Sequence, residues 1–344
     1  LMKIVKYIAI RMVLAVVFLF AMNLLYLYTF WKEDVKQHGD VLENLWGVDI
    51  HSDAIYFGES SNFHVPEGDS IKHRISFALD SLLPSLSIAT VDNAGLHAGT
   101  YLALVKNIPK EMNLKFVVIT LNYRSFSANW RYAPFENYLA KSALMLEPSL
   151  PILNKFMISL KHYDYQSDDE RNAQMKLAWK NEKFTIPNFD YDNVIEWDSA
   201  MAWHTWLDVN TNLTEENLPL ASHYIKNFAF NIDTVNNERI EDLNAIVSIA
   251  NNKNYKVIFN LLGENTIEAE KLVGKELLYL MEKNRSLLVN YYTNKGVIMV
   301  DNFYQIPDSC FVDRNWPTEH YNYQGKKIIA ENIKKAIEAN ELHH

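Results

Sequence analysis

The sequence predicts an α/β fold, a doubly wound parallel sheet behind one N-terminal membrane-spanning helix, and three observations predict it. Five short apolar or aromatic runs, each ending in polar or small residues, have the length of strands buried on both faces. Helical patterns lie between them, and strand alternating with helix builds a parallel sheet covered on both sides. A charge-free stretch of about 20 residues near the N-terminus is long enough to cross the hydrocarbon core of a bilayer.

The charge-free stretch is Met12 to Trp31 (MVLAVVFLFAMNLLYLYTFW). Tyr26, Tyr28 and Trp31 cluster at its far end, as interfacial aromatics do. Lys3, Lys6 and Arg11 precede it, whereas Lys32 and Lys36 beyond it are mixed with Glu33 and Asp34. That asymmetry places the N-terminus in the cytoplasm and the rest outside. The run is long for a signal peptide and has no small-x-small cleavage site, so it reads as an uncleaved anchor. The expected organisation is a tip and anchor over 1–34 and an extracytoplasmic domain over 35–342. Asn23 inside the run either bonds a partner helix or is a tolerated polar residue. Leu1 ahead of Met2, and His343 and His344 at the other end, read as additions for expression.

The strand candidates are Ala54 to Phe57, Leu86 to Val91, Phe116 to Leu121, Tyr255 to Leu262 and Val297 to Val300. The helix candidates are His97 to Lys106, Glu238 to Ala250, Ile267 to Tyr291, and Tyr323 to Ala339, the last with a stripe of Ile328, Ile329, Ile333 and Ile337. From about 125 to 237 the alternation stops, which marks a large insertion after the third strand. It is rich in Trp and Asn-Asp clusters and holds an acidic run, Asp164 to Glu170, read as a solvated face. Loops at that end of a sheet carry function, so the insertion could form a lid or a substrate groove.

With 49% hydrophobic and 22% charged residues, 344 residues are enough for a full-sized core. The formal charge of −9 argues against nucleic acid as a partner. Cys310 is the single cysteine, so no internal disulfide forms, and it reads as a buried inert thiol. The histidines and this cysteine show no ligand spacing, so neither a metal nor an organic cofactor is implied.

Ligands of a doubly wound sheet bind beyond the carboxyl ends of its strands. Gly58-Glu59-Ser60-Ser61-Asn62 follows the first strand, and Asn93 to Thr100 (NAGLHAGT) follows the second. Asn122 and Arg124 follow the third, and His320-Tyr321-Asn322-Tyr323-Gln324-Gly325 lies near the C-terminus. A serine, a glycine, an asparagine and a histidine thus arrive in order at one edge. This pattern resembles the SGNH (GDSL-like) hydrolase superfamily over residues 53 to 335, with the insertion unmatched.

The resemblance implies a flavodoxin-like sheet and serine acyl chemistry. It implies Ser60 as nucleophile and His320 as its base, since a hydroxyl is a poor nucleophile until a base takes its proton. It implies an oxyanion hole from the Ser60 N–H, the N–H of Gly99 (Gly95 as alternate) and the Asn122 amide. His320-x-Asn322-x-x-Gly325 matches the family's last block, but Pro317 stands where the family carries aspartate. The orienting carboxylate must come from elsewhere. Asp313 is the first choice, because Arg314 to Thr318 could loop it back to the imidazole. Glu319, Asp301 or a backbone carbonyl are the alternatives. Arg124 is read as binding an anionic substrate group, with a structural ion pair as the other reading. Glu59 is expected to anchor the turn and His97 to pack or bond backbone; His64 and His204 have no motif support.

The implied activity is that of an extracytoplasmic esterase or O-acyltransferase. Its expected partners are an acylated glycan or other ester, the membrane, and a multi-spanning acyltransferase or other envelope protein. A non-catalytic scaffold of an envelope complex is the competing reading, and an apolar tunnel in the insertion would instead suit a lipid ester.

Overall fold

The computed structural model describes residues 2–341 apart from 39, 67–72, 135, 148, 162, 164, 165 and 208–212. Leu1, Asp164, His343 and His344 therefore lie outside the described residues. Five strands, β1 (Ala54–Gly58), β2 (Ile88–Asp92), β3 (Phe116–Leu121), β4 (Lys256–Leu261) and β5 (Ile298–Asp301), form one sheet. Their order is β2-β1-β3-β4-β5 and every neighbouring pair is parallel. This is the flavodoxin-like order that the resemblance implies. The winding reverses between β1 and β3, which opens a crevice at their carboxyl ends.

The helices are, in chain order, α1 (Met2–Thr29), α2 (Trp31–His38), α3 (Asp40–Trp46), α4 (Ser60–Phe63), α5 (Ile75–Leu82), α6 (Ala98–Lys106), α7 (Ala128–Arg131), α8 (Glu136–Met145), α9 (Pro151–Ser159), α10 (Asp168–Asn181), α11 (Val194–Trp206), α12 (Leu218–Phe228), α13 (Glu238–Lys253), α14 (Thr266–Leu272), α15 (Lys275–Thr293) and α16 (Tyr323–Glu341). Side chains alternate across the strands and divide the core in two. Ile55, Phe57, Val117, Ile119 and Phe259 face the layer of α6, α13 and α15. Tyr56, Phe116, Val118 and Ile258 face α5 and α16, where Ile329, Ile333 and Ile337 are fully buried.

Five features differ from the sequence-based expectation or sharpen it. β2 begins at Ile88, because Leu86 closes a turn in which its N–H bonds the Leu83 carbonyl. The helix expected over 267–291 is two helices, α14 and α15, broken at Gly274, whose φ of +118° disfavours any side chain. The described part of the acidic run starts α10: Ser167 and Glu170 form a capping box, and Asp168, Asp169 and Glu170 face the positive end of the helix dipole. Among the described residues between β3 and α13 the regular elements are all helical, a 3-10 turn (Tyr123–Phe126) and then α7 to α12, joined by loops. α1 runs for 28 residues and is long and apolar enough to cross a membrane.

Buried Asn284 of α15 clamps the end of the insertion. Its Nδ2 donates to the Phe230 carbonyl at 2.6 Å and to the Tyr123 hydroxyl at 2.8 Å. Its Oδ1 accepts from the Ile232 N–H at 2.9 Å. Asn284→Ala leaves these buried groups without partners and is expected to lower stability by about 1–3 kcal/mol, read as a lower urea midpoint of the detergent-solubilised chain.

Candidate active site

Ser60 begins α4, directly after β1. A Cβ at Gly58 would lie 2.9 Å from the Tyr56 ring and 3.0 Å from Asn62 Cβ, so only glycine lets the chain fold back this tightly. Glu59 caps α4 by accepting the Ser61 N–H at 3.0 Å. Buried Asn62 ties the turn to α5 and β2: its Nδ2 donates to Asp92 Oδ2 at 2.6 Å, and its Oδ1 accepts the Ser76 N–H at 2.9 Å. Arg74 pairs with the same Asp92 at 3.0 Å. Nothing in the sequence pattern marked Asn62 or Asp92 for this task, since their contacts are long-range.

Ser60 and His320, 260 positions apart, meet at this edge: Ser60 Oγ lies 2.9 Å from His320 Nε2. His320 Nδ1 lies 2.7 Å from Asp313 Oδ2. The loop between them closes on itself, with Thr318 Oγ1 donating to Asp313. All three residues keep some solvent access. The other candidates for orienting the imidazole are engaged elsewhere: Asp301 pairs with Arg285, and Glu319 is buried against Arg124 and Asn122.

Burial holds the His320 imidazole below its ordinary range, and the charge of His64 pushes the same way against Asp313. The His64 ring stacks on His320 with centroids 4.0 Å apart and planes 13° off parallel. Burial works to raise Asp313, but the Thr318 hydrogen bond and the His320 charge hold its carboxyl below the usual range. Ser60 Oγ also lies 2.8 Å from Glu59 Oε2. One hydroxyl proton therefore has two acceptors. With His320 neutral and its Nδ1–H toward Asp313, Nε2 accepts it; with His320 protonated, Nε2 becomes a donor and the hydroxyl turns to Glu59.

Asn122 ends β3 beside this group. Its Oδ1 accepts the Arg124 N–H at 3.0 Å, and its Nδ2 donates to Glu319 Oε2 at 3.0 Å, which leaves one amide N–H for another acceptor. Two expectations are corrected here. Arg124 is buried and grips Glu319 through Nε, at 2.6 Å, and through Nη2, so its charge is neutralised inside the protein instead of facing an anionic substrate. Gly99 lies in the first turn of α6, where its N–H donates to His97 Nδ1 at 3.2 Å, so that donor is not open to an oxyanion. Gly95, the alternate, sits in the turn after β2 with φ +72°. His97 itself is buried, 2.6 Å from Arg239 Nη1 and 3.0 Å from Glu136 Oε2, and burial, then the Arg239 charge, lowers its pKa.

Behind Glu319 lies Glu264, also buried, whose carboxyl is pushed well above its ordinary range by burial and then by the Glu319 charge. Among the described residues, His64, Asp313 and His320 are a group whose donor atoms could approach one metal ion, all within 4.8 Å of one another. Both ring nitrogens of His320 already face Ser60 and Asp313, and stacked parallel rings do not converge their lone pairs, so this geometry suits proton transfer better than metal binding. Cys310 is buried and free, and burial raises its thiol pKa.

No protein-family model and no curated protein matches the chain. Among the solved structures similar to it are the following two. One, a candidate acylhydrolase from Bacteroides fragilis NCTC 9343, is 11% identical with a TM-score of 0.36, covering 88% of this chain and 95% of its own. The other, a GDSL-like lipase from Bacteroides thetaiotaomicron VPI-5482, is 12% identical with a TM-score of 0.35, covering 87% and 95%. At these values neither lends its activity to this chain.

The Arg124–Glu319 pair makes a stability prediction. Glu319→Gln leaves a buried guanidinium without its counter-charge and is expected to lose about 3–5 kcal/mol. Arg124→Met combined with Glu319→Gln removes both charges and is expected to recover part of that loss, measured by urea unfolding of the three variants.

Proposed function

We propose that this chain is a membrane-anchored serine esterase or O-acyltransferase acting on acyl esters of an envelope or surface glycan. The observation that carries the reading is the Ser60–His320–Asp313 chain of contacts at 2.9 and 2.7 Å. Ser60 Oγ attacks the ester carbonyl while His320 Nε2 takes its proton, and Asp313 stabilises the imidazolium through Nδ1–H. The oxyanion is met by the Ser60 N–H and the remaining amide N–H of Asn122. The intermediate collapses to an acyl-serine, and the leaving alcohol departs with the proton from His320. Water or a sugar hydroxyl then attacks the acyl group, His320 taking its proton and returning one to Ser60. The choice of that second acceptor separates hydrolysis from transfer.

A groove of about 490 Å³ beside the site supports a glycan. It is lined by Trp130, Tyr132, Asn172 and Asn227 of the insertion, by Trp316 from the loop between Asp313 and His320, and by Arg124, whose charge Glu319 neutralises. Flat aromatic faces and amides suit the apolar faces and hydroxyls of sugars. A second cavity, of about 580 Å³, is lined by charged groups including Arg131, Glu136, Arg239 and Asp242, which does not suit an acyl-chain tunnel. The anchor supports work at the outer membrane face, with Lys3, Lys6 and Arg11 on the cytoplasmic side. One observation favours a second reading, a catalytically weak scaffold subunit: the Gly99 N–H is engaged by His97, which thins the oxyanion hole.

An activated-ester assay separates the readings. Ser60→Ala and His320→Ala are expected to lower kcat by roughly 10⁴-fold or more, and Asp313→Asn by up to roughly 10⁴-fold. A folded wild-type chain that cleaves no ester supports the scaffold. Catalysis needs neutral His320, so activity falls toward acid with a midpoint below the ordinary histidine range. His64→Gln removes a charge that lowers the His320 pKa, so the acid limb of kcat/KM moves to higher pH. Trp316→Ala is expected to raise KM for an acylated oligosaccharide a few-fold to roughly tenfold while leaving p-nitrophenyl acetate turnover unchanged.

A further inference from the structure

α9 packs directly on the outer part of the anchor. The Ile152 N–H at its start donates to Asn23 Oδ1 at 3.1 Å, so the partner of this intramembrane asparagine is a helix of the same chain. Lys155 of α9 reaches Asp34, just past the anchor, at 2.8 Å, and Tyr26 donates to the same carboxylate at 2.7 Å. Asn23 and Tyr26 are buried, whereas the anchor from Met2 to Phe18 is exposed throughout.

The length of the anchor sets the depth of this contact. From Arg11, the last charge before the apolar run, to Asn23 the helix rises about 18 Å, and from Lys6 about 26 Å. Both fall short of the ~30 Å hydrocarbon core. If α1 crosses the bilayer, the level at which α9 meets it therefore lies inside the outer leaflet and not above it. The surface of α9 agrees. Asn154 and Ile158 point into the protein, while Leu153, Phe156 and Leu160 (at i, i+3 and i+7) are exposed on one face. Lys155 and Lys161 flank that face, and long basic side chains extend from apolar surroundings toward the headgroups.

We propose that α9 is an in-plane membrane helix whose Leu153–Phe156–Leu160 face is immersed in the outer leaflet beside the anchor. The occupant of this apolar face is lipid. The inference rests on α1 spanning the membrane and goes beyond it: the domain is docked on the bilayer by a second element instead of tethered by a single helix. That docking fixes the orientation of the domain relative to the membrane surface.

The test uses the full chain with Cys310→Ser in phosphatidylcholine/phosphatidylglycerol nanodiscs. Single nitroxide labels are placed through Val17→Cys on the anchor and through Leu153→Cys, Phe156→Cys and Leu160→Cys on α9. Relaxation by oxygen, which partitions into lipid, is compared with relaxation by a water-soluble nickel chelate. Labels on α9 that favour oxygen, as the one at position 17 does, support the proposal. A lipid-exposed label at 17 with nickel-accessible labels at 153, 156 and 160 overturns it while leaving the anchor intact. A nickel-accessible label at 17 overturns the membrane-spanning reading and this inference with it.

Discussion

Glu319, almost wholly inaccessible, sits between three donors supplied by Arg124 and Asn122. Charges at such depth are tolerated only when paired and fully hydrogen-bonded. The pair joins the exit of β3 to the residue directly before His320, across 195 positions of chain. The C-terminal loop thus cannot shift without breaking it, and the height of the imidazole over Ser60 follows. α16 adds a second restraint: Lys326 Nζ donates to the His64 carbonyl at 2.5 Å, tying the segment after Ser60 to the helix after His320.

The sheet supplies the rest of the geometry. Reversal of winding between β1 and β3 leaves their carboxyl ends side by side, so the residues that follow them, Ser60 and Asn122, share one rim. Electrostatics then sort the titratable groups. Burial and the Glu319 charge push the Glu264 carboxyl up, Thr318 and His320 hold the Asp313 carboxyl down, and burial and His64 hold the His320 imidazole down. An ionised acid next to a neutral imidazole is the resting state a general base needs.

Much of this was legible in the sequence. Five apolar runs and the helices between them fixed the layers, because strands buried on both faces have no polar alternative. Ser60 and His320 were legible from their places after a strand and before the last helix. Asp313 was reachable only as a preferred option, since Arg314 to Glu319 separate it from His320 in place of the usual short spacing and several carboxylates competed. Arg124 was left open between a substrate contact and a structural ion pair, because a buried pair and an exposed pair look alike in sequence. Gly99 was misjudged because the availability of an N–H depends on the His97 ring beside it. The break at Gly274 was hidden in a continuous helical pattern, and the lipid-facing side of α9 lies in the insertion, where no periodic signal stood out against the surrounding helices.

The most direct measurement is covalent capture of the nucleophile by a fluorophosphonate, followed by peptide mass spectrometry of the full chain in detergent. A single adduct on Ser60 is predicted, abolished by His320→Ala and strongly slowed by Asp313→Asn. A folded chain that takes no adduct at Ser60, or one that labels equally fast without His320, would contradict the account.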